Sequence, residues 1–201
     1  MTGSGGGAGR VIAGTARGVR LSAPGSVTRP LSDRVKQTLF AVLDPSLRGA
    51  TVLDLFAGSG AAGIEALSRG AIRAIFVERD RRAVATIETN LERAHLAGPE
   101  ALVIRRDAIG WLGSSDAMAH GPVGVAIVDP PYDQPDLMVM ALDHLGRSPT
   151  PMGRGSIVVA KHFWRDQPPD TIGLLASDRA RRFGDTALTF YRVVDPAEAP
   201  A

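Results

Sequence analysis

Asp54-Leu55-Phe56-Ala57-Gly58-Ser59-Gly60-Ala61-Ala62-Gly63 is the stretch on which the reading of this chain turns. The apolar run over residues 51–55 leads into it, and small apolar residues continue past it to about Arg69. Strand, glycine loop and helix therefore follow in order. Glycines at 58, 60 and 63 satisfy a pattern in which the first makes a tight turn, the second admits a ligand close to the backbone, and the third lets helix and strand pack closely. A second apolar strand over residues 72–77 ends at Glu78, where a carboxylate can reach a ribose. By itself the loop fits a dinucleotide or another adenosine-bearing ligand equally well.

Outward from this unit the alternation repeats. A helix is expected over residues 80–95 with Val84, Ile87 and Leu91 on its buried face. Further strands are expected at 101–104, 123–128 and 157–160, with a helix at 136–145 between the last two. Strands that are apolar throughout and alternate with helices imply an α/β fold, its mostly parallel sheet covered on both faces. Residues 180–183 and 187–194, joined through Gly184-Asp185, read as an antiparallel hairpin closing that sheet. Upstream, residues 10–21 read as a β-hairpin with turn signals at Gly14 and Gly18. Residues 24–30 form a loop, after which Ser32 caps a helix that buries Val35, Leu39, Phe40 and Leu43 and ends before Pro45. The expected organisation is a flexible leader (1–9), a basic hairpin-and-helix extension (10–45), a main domain (46–194) and a flexible tail (195–201).

Composition bounds the function classes. The chain has 201 residues, 44% hydrophobic and 22% charged, which is ordinary globular usage. Cysteine is absent, which excludes disulfides, a zinc ribbon and thiol catalysis. The apolar runs are too short for a membrane helix and the amino terminus lacks signal-peptide character, so a cytoplasmic location without a membrane partner is expected. His95, His120, His144 and His162 lack ligand spacing, and no metal is expected. Residues 1–50 hold seven basic residues against two acidic, a net +5, whereas the rest of the chain is at −3. A cationic arm on an anionic body suits a polyanionic partner held at one end. Arg10, Arg17, Arg20, Arg29 and Arg34 are the candidate phosphate contacts. The pairs Arg105-Arg106 and Arg181-Arg182, and Trp164 between Phe163 and Arg165, are weaker candidates.

Asp54 separates the two ligand readings. A pyrophosphate beside its carboxylate would be repelled by roughly 4 kcal/mol at about 4 Å in a site of effective dielectric near 20. S-adenosylmethionine carries no phosphate but an ammonium and a sulfonium, which a carboxylate attracts. Glu78 can then accept from both ribose hydroxyls, and Asp107, after the third strand, can accept from the adenine amino group or cap a helix. The fourth strand runs into Asp129-Pro130-Pro131-Tyr132. Two prolines remove two N–H donors and fix two φ angles, leaving rigid carbonyl acceptors beside the Asp129 carboxylate. An exocyclic base amine is a poor nucleophile, and acceptors of this kind stabilise the positive charge that develops on it. Tyr132 can stack on a flipped base. The same tetrapeptide serves an adenine N6 acceptor in DNA or RNA. The glycines alone would serve an NAD-dependent oxidoreductase, and the basic arm alone a non-catalytic ribosome-assembly factor.

Four segments together resemble the RsmD-type family of 16S ribosomal RNA guanine-N2 methyltransferases. They are residues 54–60, residues 129–132, the run Arg29-Pro30-Leu31-Ser32-Asp33-Arg34-Val35-Lys36-Gln37-Thr38-Leu39-Phe40, and the turn Arg182-Phe183-Gly184-Asp185-Thr186. The resemblance spans about residues 10–194. It implies a class I, Rossmann-like methyltransferase fold with a seven-stranded sheet, and S-adenosylmethionine held by Asp54, Phe56, Ala57, Gly58, Ser59, Gly60, Glu78 and Asp107. Asp129, Pro130, Pro131 and Tyr132 are then the catalytic residues. The implied substrate is a guanine of 16S ribosomal RNA in a partly assembled small subunit, modified by a monomeric enzyme. Two positions depart from the family pattern: Leu31-Ser32 stands where Thr-Thr is usual, and Lys161 ends the fifth strand where Glu is usual.

Overall fold

The computed structural model describes residues 7–25 and 33–195. Among the described residues ten strands and six helices follow one another. They are β1 (Gly7–Arg10), β2 (Arg20–Ser22), α1 (Asp33–Leu47), β3 (Thr51–Leu55), α2 (Ala61–Ser68), β4 (Arg73–Glu78), α3 (Arg81–Arg93) and β5 (Ala101–Arg105). After these come α4 (Ala108–Leu112), α5 (Ser115–Ala119), β6 (Val123–Val128), α6 (Asp136–Gly146), β7 (Met152–Phe163), β8 (Thr171–Ile172), β9 (Leu175–Phe183) and β10 (Thr186–Val193).

Eight strands form one sheet in the order β5-β4-β3-β6-β7-β10-β9-β8. The first five are parallel to one another, while β10 runs antiparallel to both β7 and β9. The seven strands expected are all present, and the eighth is the two-residue edge strand β8, too short to leave a periodic signal. Strand order reverses between β3 and β6, and in an open α/β sheet the crevice at the carboxyl ends of such a pair is where ligands bind. Here those ends carry the glycine loop and the tetrapeptide.

Burial on both faces explains the unbroken apolar strands. Leu53 and Leu55 of β3 and Val128 of β6 pack with Trp111 of α4 and with Met138, Leu142 and Leu145 of α6 on one side. On the other, Val52, Val125 and Ile127 meet Leu39, Phe40, Leu43 and Leu47 of α1. Asp54, between two residues that face α4 and α6, necessarily faces the α1 and α2 side.

Several boundaries differ from expectation. Helix α1 continues through Pro45 to Leu47, whose complete burial offsets part of the cost of the backbone bond that proline forfeits. The expected domain boundary at residue 45 thus falls inside α1, which is part of the sheet's own packing. Strand β1 begins at Gly7, so residues 7–9 of the expected leader are paired with β2. Val84 is only half-buried, and the inner face of α3 is Ala83, Ile87, Asn90 and Leu91. Ser32, the expected cap of α1, lies outside the described residues. No helix among the described residues is long and apolar enough to cross a membrane.

The amino-terminal hairpin is fastened down rather than appended. Val11, Ala16 and Leu21 are buried against α2 and α3. The buried Glu65 carboxylate of α2 accepts from the Ile12 and Ala13 amides at 2.7 and 3.0 Å. Ser68 accepts from the Ala16 amide and donates to the Ala13 carbonyl. A Cβ on Gly14 would fall 1.7 Å from the Ser68 carbonyl oxygen, so only glycine admits this approach.

Candidate active site

The glycine loop is built by backbone geometry that few residues adopt. Phe56 leaves β3 at φ 60°, uncommon for a residue with a side chain, and Gly58 and Gly60 follow at φ 55° and 74°. The Gly60 amide donates to the Ala57 carbonyl at 2.7 Å, closing the turn just before α2. A Cβ on Gly63 would lie 2.3 Å from the Phe76 ring, so the third glycine is required for α2 to lie against β4. A Cβ on Gly58 would meet only the Phe56 carbonyl, at 3.9 Å, which leaves open space over this part of the loop.

Two carboxyl groups, Glu78 and Asp54, hold the loop and the start of α2 from adjacent strands. Glu78 accepts from the Gly58 amide at 2.8 Å with one oxygen and from the Asp80 amide at 2.9 Å with the other. It retains lone pairs for a further donor, since a carboxylate has about four acceptor positions. Asp54 is buried and accepts from the Gly63 amide at 2.8 Å. Burial, reinforced by the charges of Asp129 and Glu78 and opposed by the Gly63 hydrogen bond, pushes its pKa up to about 8. Asp54, expected from the sequence to be ionised, is therefore largely protonated at neutral pH in the ligand-free protein, and a cation nearby would draw it back to the charged form. Asp107 is exposed and caps α4 by accepting from the Gly110 amide at 2.9 Å.

Asp129 follows β6 directly, and its amide reaches the Leu55 carbonyl at 3.4 Å, which sets the tetrapeptide beside the glycine loop. Lys161, at the carboxyl end of β7, donates to Asp129 Oδ1 at 2.6 Å. The same ammonium lies 4.8 Å from the centroid of the Tyr132 ring. The Tyr132 hydroxyl is hydrogen-bonded to Thr186 Oγ1 at 3.0 Å, tying the tetrapeptide to the start of β10. A small cavity opens here between Pro130, Pro131, Tyr132, Lys161 and Phe163. Behind it, His162 bridges the Phe163 carbonyl and Thr189, and burial lowers its pKa.

The glycine loop, Asp54, Glu78 and the tetrapeptide lie together at the strand-order reversal, whereas Asp107 contacts only the start of α4. Lys161, Thr186 and Asn90 were not foreseen as partners in it. Asn90 of α3 is fully buried; its amide donates to the Ser59 carbonyl and to the Ser22 carbonyl, both at 2.9 Å. Its place on the otherwise apolar inner face of α3 was the one signal that could have marked it. Of the candidate phosphate contacts, Arg17, Arg20 and Arg34 are exposed, Arg10 is paired with Asp33 at 3.2 Å, and Arg29 lies outside the described residues. Trp164 sits half-buried beneath Arg182, whose guanidinium carbon is 3.7 Å from the ring centroid.

The chain is similar to known proteins over most of its length. The family model described as Conserved hypothetical protein 95 matches residues 9–192. The Bacillus subtilis protein named "Putative rRNA methyltransferase YlbH" is 38% identical over 184 residues, 91% of this chain and 98% of that one. The Escherichia coli "Ribosomal RNA small subunit methyltransferase D" is 42% identical over 130 residues, 64% of this chain and 63% of that protein. A solved structure titled "Putative methyltransferase yhhF from Escherichia coli" superposes with a TM-score of 0.79 at 31% identity, covering 92% of this chain and 97% of that one.

Proposed function

Because the chain belongs to the RsmD-type family matched by the model Conserved hypothetical protein 95, we propose that it is an S-adenosylmethionine-dependent methyltransferase of small-subunit ribosomal RNA, acting on the exocyclic N2 of a guanine. The observation that carries the reading is the placement of Asp129 to Tyr132 against the glycine loop at the point where strand order reverses. The names of the relatives support ribosomal RNA as the substrate class.

The residues fit the cofactor. Glu78 and Asp129 bring carboxyl groups to the place where a cationic ligand is wanted, Asp54 regains its charge when a cation settles beside it, and the open space over Gly58 allows close approach to the backbone. The loop residues Phe56 to Gly60 would hold the methionine part, Glu78 the ribose hydroxyls and Asp107 the adenine. Bound there, S-adenosylmethionine supplies an electrophilic methyl group on a sulfonium. The protein's part is positioning and electrostatics. The Asp129 carboxylate and the Pro130 carbonyl accept from the target amino group, aim its lone pair, and stabilise the positive charge that grows on nitrogen. Asp129 or solvent takes the surplus proton, and Tyr132, 41% exposed, offers a face on which the flipped base can stack. Acting as a monomer on a partly assembled particle, the enzyme would work in the cytoplasm, where subunits are built.

Transfer of labelled methyl to small subunits purified from a strain lacking this protein, followed by nucleoside mapping, tests the reading. N2-methylguanosine at one position is expected; N6-methyladenosine, or no transfer despite cofactor binding, would overturn it. Asp129→Ala should abolish transfer while leaving cofactor affinity within a few-fold of the parent, measured by calorimetry.

A further inference from the structure

Of the 23 basic residues in the chain only Lys36 and Lys161 are lysines, and both are buried. Lys36 secures the amino-terminal hairpin from beneath, where its ammonium donates to the Arg10 carbonyl and lies 3.9 Å from Glu65. Lys161 fastens no such element. Its side chain is 9% exposed, it lies in the wall of the catalytic cavity, and its partners are Asp129 and Tyr132.

An ammonium has three N–H donors. Asp129 takes one and Tyr132 engages a second, so a third has no partner among the described residues. Burial alone would pull the Lys161 pKa down, but the charge of Asp129 and the hydrogen bond to it outweigh burial and keep the group cationic. Asp129 and Lys161 therefore set an acceptor and a charged donor side by side at the end of β6 and β7. The complement of that pair is an amino group flanked by an unprotonated ring nitrogen. Guanine offers this on its sugar edge, where N2 neighbours N3. On its Watson–Crick edge N2 neighbours N1–H, a donor that would confront the ammonium and leave both groups unpaired. A site that hydrogen-bonds one edge rejects the other strongly for this reason. A glutamate at position 161 would hold the opposite preference, accepting from N1–H.

We propose that Lys161 is a specificity-determining residue: held by Asp129 and Tyr132, its ammonium donates to N3 of the target guanine, so that the base is read on its sugar edge while Asp129 and Pro130 take the amino group. This rests on the guanine-N2 reading above and adds the edge by which the base is chosen.

The test uses the full-length enzyme and small subunits reconstituted with RNA in which 3-deazaguanosine, bearing C–H in place of N3, replaces the mapped target guanosine. The parent enzyme should lose about 10- to 100-fold in kcat/KM on the analogue, as expected for a lost hydrogen bond to a charged group. Lys161→Met should lose a similar factor on ordinary guanosine, with an unchanged cofactor Kd, and should lose nothing further on the analogue. Methylation of the analogue at the parental rate would overturn the proposal. So would an equal analogue penalty in parent and variant. The analogue arm needs no variant, so it stands even if Lys161→Met does not fold. Recovery of N6-methyladenosine from the ordinary-guanosine control is a separate result, since it strikes the guanine-N2 reading itself.

Discussion

Asp54 is a carboxyl group that folding has turned into a weak acid. Its pKa near 8, against an ordinary 3.8, means that the folded protein holds a proton which the unfolded chain releases near pH 4. The native state binds more protons throughout that window, so stability falls as pH rises from about 4 to about 8, by on the order of 5 kcal/mol in total. Asp54→Asn removes this dependence while keeping an acceptor for the Gly63 amide. Urea unfolding at pH 5, 7 and 9 should show the variant gaining on the parent with each step; a gap independent of pH would refute the assignment. A cationic ligand that restores the carboxylate should bind more tightly as pH climbs toward 8. At this scale the sequence was most legible where the chemistry is contiguous. Gly58 to Gly60 and Asp129 to Tyr132 can be read as words. Lys161, Thr186 and Asn90 reach the same site from three other elements, and no local pattern announces a partner supplied by register. The protonation of Asp54 was hidden for a related reason, since burial and the neighbouring charges exist only once β3, β4 and β6 are side by side.

The parallel strands and α2, α3 and α6 were each visible as periodic apolar segments. The short elements were not: α4 and α5 have five residues each and β8 has two, too few for a period to establish itself. Strand β7 runs for 12 residues although only residues 157–160 form an apolar run, because its later part pairs with β10 through Phe163 and is fixed by that partner rather than by its own composition. The attachment of the β1–β2 hairpin was equally invisible, resting on Glu65, a buried acid inside a helix. Glu65 serves two amides, Arg69 at 2.8 Å and Lys36 at once. Glu65→Ala would take the carboxylate from a buried lysine, whose pKa burial already lowers, and from two half-buried amides. A loss of about 3–5 kcal/mol is expected, read by denaturant unfolding. Hydrogen exchange should accelerate first at Ile12 and Ala13; uniform acceleration across the sheet would show that the hairpin is not a separate cooperative unit.

Over the whole molecule, charge is the property that sequence arithmetic captured and structure refined. The basic excess of residues 1–50 is expressed on the hairpin as exposed Arg17 and Arg20, whereas Arg10 is partly spent on Asp33. If the hairpin holds RNA, alanine at both Arg17 and Arg20 should lower the slope of log affinity against log salt by about 1.5 to 2, and adding Arg10→Ala should change it by less than about one further unit. An unaltered slope in the double variant would place the phosphate contacts elsewhere. One residue touches both the hairpin and the glycine loop with its side chain. Asn90 holds Ser22 at the end of β2 and Ser59 in the glycine loop with the same carboxamide. A polyanion gripping the hairpin and a ligand settling into the loop therefore pull on a shared rigid body. Coupling between two sites is reciprocal by thermodynamic necessity. If the hairpin holds RNA, whatever factor that RNA contributes to retention of a methyl donor the donor must return to RNA, and exchange of spent donor for fresh would then also set how long the enzyme stays on it.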